Sequence, residues 1–150
     1  MIAPKEILDL LKSTESYRVE RTTSTGNMDK FCEAICAFSN DMPGSRKNGY
    51  LIIGASDDGS IAGMRVDDAL LKKIAGIRSD GNILPLPTMS VERFPFPEGD
   101  LLVAEVRPSD LPPVRYRSRT FIRVGPRRDI ATEAEERILA ERRCSFMATR

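Results

Sequence analysis

Acid–base and ligand chemistry in this chain must come from carboxylates, lysines, arginines, tyrosines and three cysteines, because its 150 residues contain no histidine. Without imidazole, Ser-His-Asp and Cys-His nucleophilic sites are excluded, and so are most zinc centres. Two patterns use what is left. The first is acidic: Glu15 and Glu20 flank the start of a strand-like segment, and Asp57 and Asp58 follow an apolar run where it gives way to a turn. Carboxylates from two strand ends can converge on Mg2+ or Mn2+, which take oxygen ligands and need few of them when water completes the shell. A metal held so would activate water and stabilise charge on a phosphodiester. Carboxylates crowded around it would also repel one another. At least one would carry a raised pKa, and Glu20→Gln would leave the metal-free protein no less stable. The same residues equally read as a solvated face and an ordinary Asp-Asp-Gly turn.

The second pattern is basic. The net charge is only +1, yet residues 107–150 hold eleven arginines against six acids. Within 107–128 there are seven arginines and one acid, Asp110. Arginine binds phosphate with a planar fork and stacks on bases. Tyr116 and Phe121 are interleaved with Arg115, Arg117, Arg119, Arg127 and Arg128, as in many nucleic-acid binders. Arg115, Arg117 and Arg119 alternate, so an extended segment would present them on one face. An edge strand protected from aggregation by charge has the same composition.

Two phosphate or nucleophile signals fail. Gly44-Ser-Arg-Lys-Asn lacks the first glycine and the hydroxyl residue of a Walker A loop, and Gly54–Gly59 is one residue too long for a nucleophile elbow.

The elements that must position these residues follow from periodicity and turn chemistry. The pattern predicts helices over 4–12, 28–41 and 66–77, and a closing helix from Thr132, with Thr132 and Glu135 as a capping box. Strands are expected at 17–22, 50–55, 60–62, 88–94, 101–107 and 119–124, with a stiff connector at 108–113. The order implies one α+β domain over 1–143 with a mixed, mainly antiparallel sheet and a loose tail at 144–150. Cys32 and Cys36 sit at helical spacing and Cys144 stands alone, which reads as buried apolar cysteines in a reducing compartment rather than a disulfide framework. No signal peptide and no membrane-spanning run is seen, so a cytoplasmic protein without membrane contact is expected.

Several short stretches, taken in order, carry a resemblance. They are Glu15-Ser-Tyr-Arg-Val-Glu20, Ala37-Phe-Ser-Asn40, Gly49-Tyr-Leu-Ile-Ile-Gly54, Asp57-Asp-Gly59, Ile61-Ala-Gly63 and Phe121-Ile-Arg-Val-Gly125, followed by Ala131 and Glu135. Over about residues 4–143 the chain resembles the AlbA-like domain of the Schlafen family. The resemblance implies an α+β nucleic-acid-binding fold for DNA or RNA, carried in bacterial relatives at the N-terminus of transcriptional regulators. In animal Schlafens a doubled copy forms a cradle, so a single copy implies a homodimer. Some members cut transfer RNA with two Glu and one Asp, which correspond to Glu15, Glu20 and Asp57 here. Three functions follow: a nucleic-acid-binding module, a metal-dependent endoribonuclease, or an assembly module of a larger regulator. Two departures separate them. The family's Glu-Phe-Lys is Glu20-Arg21-Thr22 here, which removes a cation from the scissile phosphate and leaves Arg18 or Arg21 to replace it. The segment Asp41–Asn48 is longer than the family's Gly-Gly turn and adds Arg46 and Lys47 to the expected binding face.

Overall fold

The computed structural model describes residues 2–12 and 17–148, with backbone alone over 144–148. In chain order the first half contains α1 (Pro4–Lys12), β1 (Val19–Thr22), α2 (Met28–Asn40), β2 (Gly49–Ile53) and α3 (Asp68–Ala75), the last continued by a 3-10 turn at Gly76–Arg78. The second half contains β3 (Ile83–Leu84), β4 (Met89–Phe96), β5 (Gly99–Val106), β6 (Arg115–Tyr116), β7 (Phe121–Val124), β8 (Arg127–Ile130) and α4 (Glu133–Ala148). α4 therefore carries helical backbone past the boundary that the sequence suggested at 143.

The main sheet has the order β1-β2-β5-β4. β1 and β2 are parallel, which requires a crossover, and α2 supplies it. The other two pairings are antiparallel, so the sheet is mixed and mainly antiparallel as the sequence implied.

Strand alternation divides the interior into two layers. Val19, Tyr50, Ile52, Leu101 and Val103 face α1, where Ile7 and Leu11 are buried against them. Leu51, Ile53, Leu102, Ala104 and Val106 face α2 and α3. β2 is buried along its whole length because both faces are covered, which is why its sequence is a continuous apolar run. Gly49 opens β2 against α2, and a Cβ there would run into the Phe38 ring.

Local chemistry sets the helix ends. Asn27 caps α2 by accepting from the Lys30 amide at 3.1 Å, and Asp67 caps α3 by accepting from the Leu70 amide at 2.8 Å. The capping box forms as expected: the Thr132 amide donates to Glu135 at 2.9 Å and the Glu135 amide donates to Thr132 at 3.2 Å. At the other end of α2, buried Asn40 ties the helix to the second half of the chain. Its amide nitrogen donates to the carbonyls of Val114 (2.9 Å) and Phe121 (2.8 Å), and its oxygen accepts from the Val114 amide at 2.6 Å.

Three expectations are corrected. The strand at 60–62 is a single bridge between Ala55 and Ile61. The strand at 119–124 begins only at Phe121 and pairs with β8 in a separate hairpin. The segment 115–119 is not extended: Arg117 and Ser118 have φ of 48° and 72°, and Tyr116 and Arg119 bond across them. Positive φ at both central residues is the geometry of a tight hairpin turn, usually announced by Asn-Gly rather than Arg-Ser. β3, β6 and β8 were missed because two- and four-residue strands carry too little periodicity to read.

Asn40→Ala should lower unfolding free energy by about 2–4 kcal/mol in urea titration, since it leaves buried backbone groups unpaired. The thiols give a second expectation. Burial pushes Cys36 up to about 12 and Cys32, also beside Asp80, up to about 11. Both should resist Ellman's reagent at pH 8 in the folded state of a Cys144→Ser variant and react in urea. The sign for stability follows: the contribution is complete below the ordinary thiol value of 9.0 and is lost as pH rises toward the folded values.

Candidate nucleic-acid interface

Glu20 leaves β1 on the α2 face and is buried against two guanidinium groups. Arg123 of β7 meets it at 2.5 Å, with 7% of the Glu20 side chain and 1% of the Arg123 side chain exposed. The other arm of Arg123 donates to the carbonyls of Val19 (3.1 Å) and Pro126 (3.0 Å), and the guanidinium lies 5.3 Å from the centre of the Phe38 ring. Arg128 of β8 approaches the same Glu20 oxygen at 3.3 Å and bonds Glu33 of α2 at 2.8 Å. The result is a chain of alternating charge, Arg123–Glu20–Arg128–Glu33, that ties the β7–β8 hairpin to β1 and α2. The second Glu20 oxygen, Oε2, is buried and has no hydrogen-bond partner among the described residues.

The expected carboxylate cluster takes a different form. Glu15 lies outside the described residues. Asp57 is exposed, and its carbonyl accepts from Arg21 at 3.0 Å. Arg21 leaves β1 on the α1 face, opposite Glu20, and also donates to the Leu11 carbonyl at 3.1 Å. No hydrogen bond or shared ion pair joins Glu20 to Asp57. Asp58 folds back on its own loop, where the Ser60 hydroxyl (2.6 Å) and amide (2.9 Å) hold its carboxyl below the usual range. That is the ordinary turn reading of Asp-Asp-Gly. The premise of mutual carboxylate repulsion is corrected for Glu20, whose described neighbours at bonding distance are cations. Among the described residues no three His, Cys, Asp or Glu side chains could hold a metal. The described donors therefore do not fit an Mg2+ or Mn2+ centre, because a divalent ion at Glu20 would face two guanidinium charges.

The cations expected to replace the missing lysine are also engaged elsewhere. Arg18 donates to the Asn48 carbonyl at 3.0 Å and lies over the Tyr50 ring, while Arg21 is buried on the α1 face. Lys30 of α2 instead brings its ammonium to 3.5 Å from the Thr22 hydroxyl.

The basic stretch separates into two groups. Arg123 is structural and Arg128 is held by Glu33 and Glu20. The exposed group is Arg107, Arg115, Arg117, Arg119 and Arg127. Arg115 pairs with Glu136 at 2.8 Å and Arg117 with Asp29 at 3.5 Å, both at the surface. The Arg119 and Arg127 side chains make no hydrogen bond or ion pair with a described residue. Because the chain turns at 117–118, Arg115, Arg117 and Arg119 do not line one strand face. Tyr116 and Phe121 offer no stacking platform either. Both are buried, with ring centres 6.3 Å apart, and the Tyr116 hydroxyl donates to Asp29 at 2.6 Å. Burial and that bond to a carboxylate push the phenol pKa up. Arg46 and Lys47 are exposed in the 41–48 loop.

Sequence reasoning missed the structural role of Arg123, although an arginine inside the apolar run Phe121-Ile-Arg-Val was the available signal. It also missed Lys30 and Arg142, for which spacing offered none.

The sequence model of the family described as Schlafen, AlbA_2 matches residues 15–132. No curated protein matches the chain. Two solved structures share its fold. One is the DIP2311 protein of Corynebacterium diphtheriae, with a TM-score of 0.56 and 20% identity over 87% of this chain and 29% of that one. The other is the N-terminal domain of a Nitrosomonas europaea protein named as RecG-related, after an ATP-dependent DNA helicase. Its TM-score is 0.54, with 21% identity over 72% of this chain and 74% of that one. The chain thus spans under a third of the first structure's length. Among the described residues no helix is long and apolar enough to cross a membrane.

Glu20→Gln should destabilise the protein by about 3 kcal/mol in urea unfolding, because it leaves the buried Arg123 charge uncompensated. A crowded carboxylate would give no loss, so the direction of the change separates the two readings.

Proposed function

Because this chain belongs to the Schlafen AlbA_2 family, we propose that it is a nucleic-acid-binding module that grips phosphates with its exposed arginines. The observation that carries the reading is the state of Arg119 and Arg127. Both are exposed and neither guanidinium has a partner among the described residues, in a stretch that holds seven arginines and one acid. Arg115 and Arg117 add to them at little cost. Surface ion pairs such as those with Glu136 and Asp29 are worth about 0–1 kcal/mol and exchange readily for phosphate. Arg46 and Lys47 extend the cationic surface. Contacts of this kind are to the backbone, so the module takes DNA or RNA by charge, and its affinity depends on salt.

Cleavage through Glu15, Glu20 and Asp57 lies outside this proposal, since Glu20 is neutralised by Arg123 and Arg128. The resemblance to a doubled cradle supports a homodimer as the binding form.

The test is fluorescence anisotropy with labelled transfer RNA and with single- and double-stranded DNA, across a salt series, with and without Mn2+. Replacing Arg115, Arg117 and Arg119 by alanine should weaken binding and reduce the salt slope by roughly one unit per lost phosphate contact. Unchanged affinity and slope would sink the reading. Mn2+-dependent cutting that disappears in Asp57→Asn would replace it with the nuclease. Light scattering of the pure protein should report about twice 16.7 kDa, and a monomer that binds fully would remove the dimer from the proposal.

A further inference from the structure

The 41–48 loop, the 107–113 connector and α4 line an open cavity of about 380 Å3, a volume in the range of small-molecule sites. Three arginines from three separate segments line it: Arg46 from the loop, Arg107 just after β5, and Arg142 from α4. Arg107 and Arg142 lie outside the group Arg115, Arg117, Arg119 and Arg127 that carries the binding reading, while Arg46 is shared with the cationic surface, so the site does not depend on that group.

The charge balance in the cavity is positive. Two acids also line it, Asp41 and Asp110. The Asp41 carboxylate is turned to its own loop, accepting from the Ser45 hydroxyl (3.0 Å), the Ser45 amide (3.2 Å) and the Arg46 amide (2.8 Å). Arg142 donates to the carbonyls of Asp41 (2.6 Å) and Met42 (2.8 Å), which are neutral acceptors that fix its position without cancelling its charge. The Arg107 side chain makes no hydrogen bond or ion pair with a described residue.

The walls are held in place. The Ser109 amide donates to the Ser39 carbonyl at 2.8 Å, and the Asn40 bonds to Val114 anchor the far end of the connector. Pro108 and Pro112 stiffen the stretch between and give it apolar surface. Such a site is formed before its ligand arrives, which removes an ordering cost from binding.

We propose that this cavity binds a phosphate monoester of mononucleotide size. Guanidinium forks match phosphate oxygens bidentately, and a dianion can engage several of them where a carboxylate would satisfy one. Inorganic phosphate alone would leave most of the volume empty, whereas a nucleoside monophosphate would place its ring system against the proline wall. The phosphate has two possible sources, a free nucleotide or the 5′-phosphate end of a nucleic-acid strand, and the chemistry recognised is the same.

Isothermal titration with AMP, adenosine, and 5′-phosphorylated and 5′-hydroxyl tetranucleotides tests the proposal and separates the sources. AMP should bind at least tenfold more tightly than adenosine. Arg107→Gln should weaken AMP binding roughly tenfold or more, the size of one charge-assisted hydrogen bond. Its thermal midpoint should match the wild type, because the side chain supports nothing. Arg119→Gln should leave AMP affinity unchanged while it weakens binding to the longer nucleic acids used above. Preference for the 5′-phosphorylated over the 5′-hydroxyl strand, alongside AMP binding, supports the site and assigns it to strand ends; AMP binding without that preference supports it and assigns it to free nucleotides. Equal binding of AMP and adenosine, no saturable AMP binding at millimolar concentration, or full affinity in a folded Arg107→Gln variant would overturn it.

Discussion

The β7–β8 hairpin is not hydrogen-bonded into the main sheet, so something other than a strand ladder must decide where it sits. Part of the answer is apolar, since Ile122 and Phe121 are buried beneath it. The directional part is the buried pair between Glu20 and Arg123, two residues from opposite ends of the chain. A buried ion pair contributes little net stability relative to an apolar substitute, but breaking one partner costs several kcal/mol. It therefore acts on uniqueness more than on depth of the energy minimum. An apolar contact tolerates sliding and rotation, whereas Arg123 reaches Glu20, Val19 and Pro126 together only in one placement.

That constraint also governs the chemistry available to the domain. Glu20 is one of the three residues that the family resemblance marks for metal-assisted cutting, with Glu15 and Asp57, and here its charge is matched by two guanidiniums. Arg21 is drawn to the other face and ties the end of α1 to the Asp57 turn through two carbonyls. Glu20 and Arg21 thus both serve as ties between segments in this fold. Lys30 keeps a cation beside Thr22.

Arginine serves two purposes in this protein, and burial separates them. Arg21, Arg123 and Arg142 bond backbone carbonyls and fasten one segment to another. A planar group with five donors suits that role because it can satisfy several acceptors at once. Arg119 and Arg127 have the same chemistry and nothing described to bond, and both are exposed. Arg107 stands between these groups, on a fixed wall but without a tie of its own. A count of arginines along the sequence overstates the binding surface, because it includes the residues that build the domain.

The α1, α2 and α3 helices, the buried β2 run and the capping box at Thr132 were all legible in the sequence, and so was the α+β class. Each depends on local order: the period of apolar residues, a capping side chain or a turn residue, all within a few positions of one another. The turn at Arg117-Ser118 was not legible, because neither residue favours positive φ by itself and the surrounding bonds hold it there. The role of Glu20 was not legible either. Its type and place on β1 could be read, but its partner lies 103 residues away and no pattern links the two positions. Sequence alone determined which residues are apolar, which are charged and which elements they form. Tertiary structure decided which charges meet, because pairing depends on the faces that packed elements present to one another, and that distance does not exist until the chain has folded.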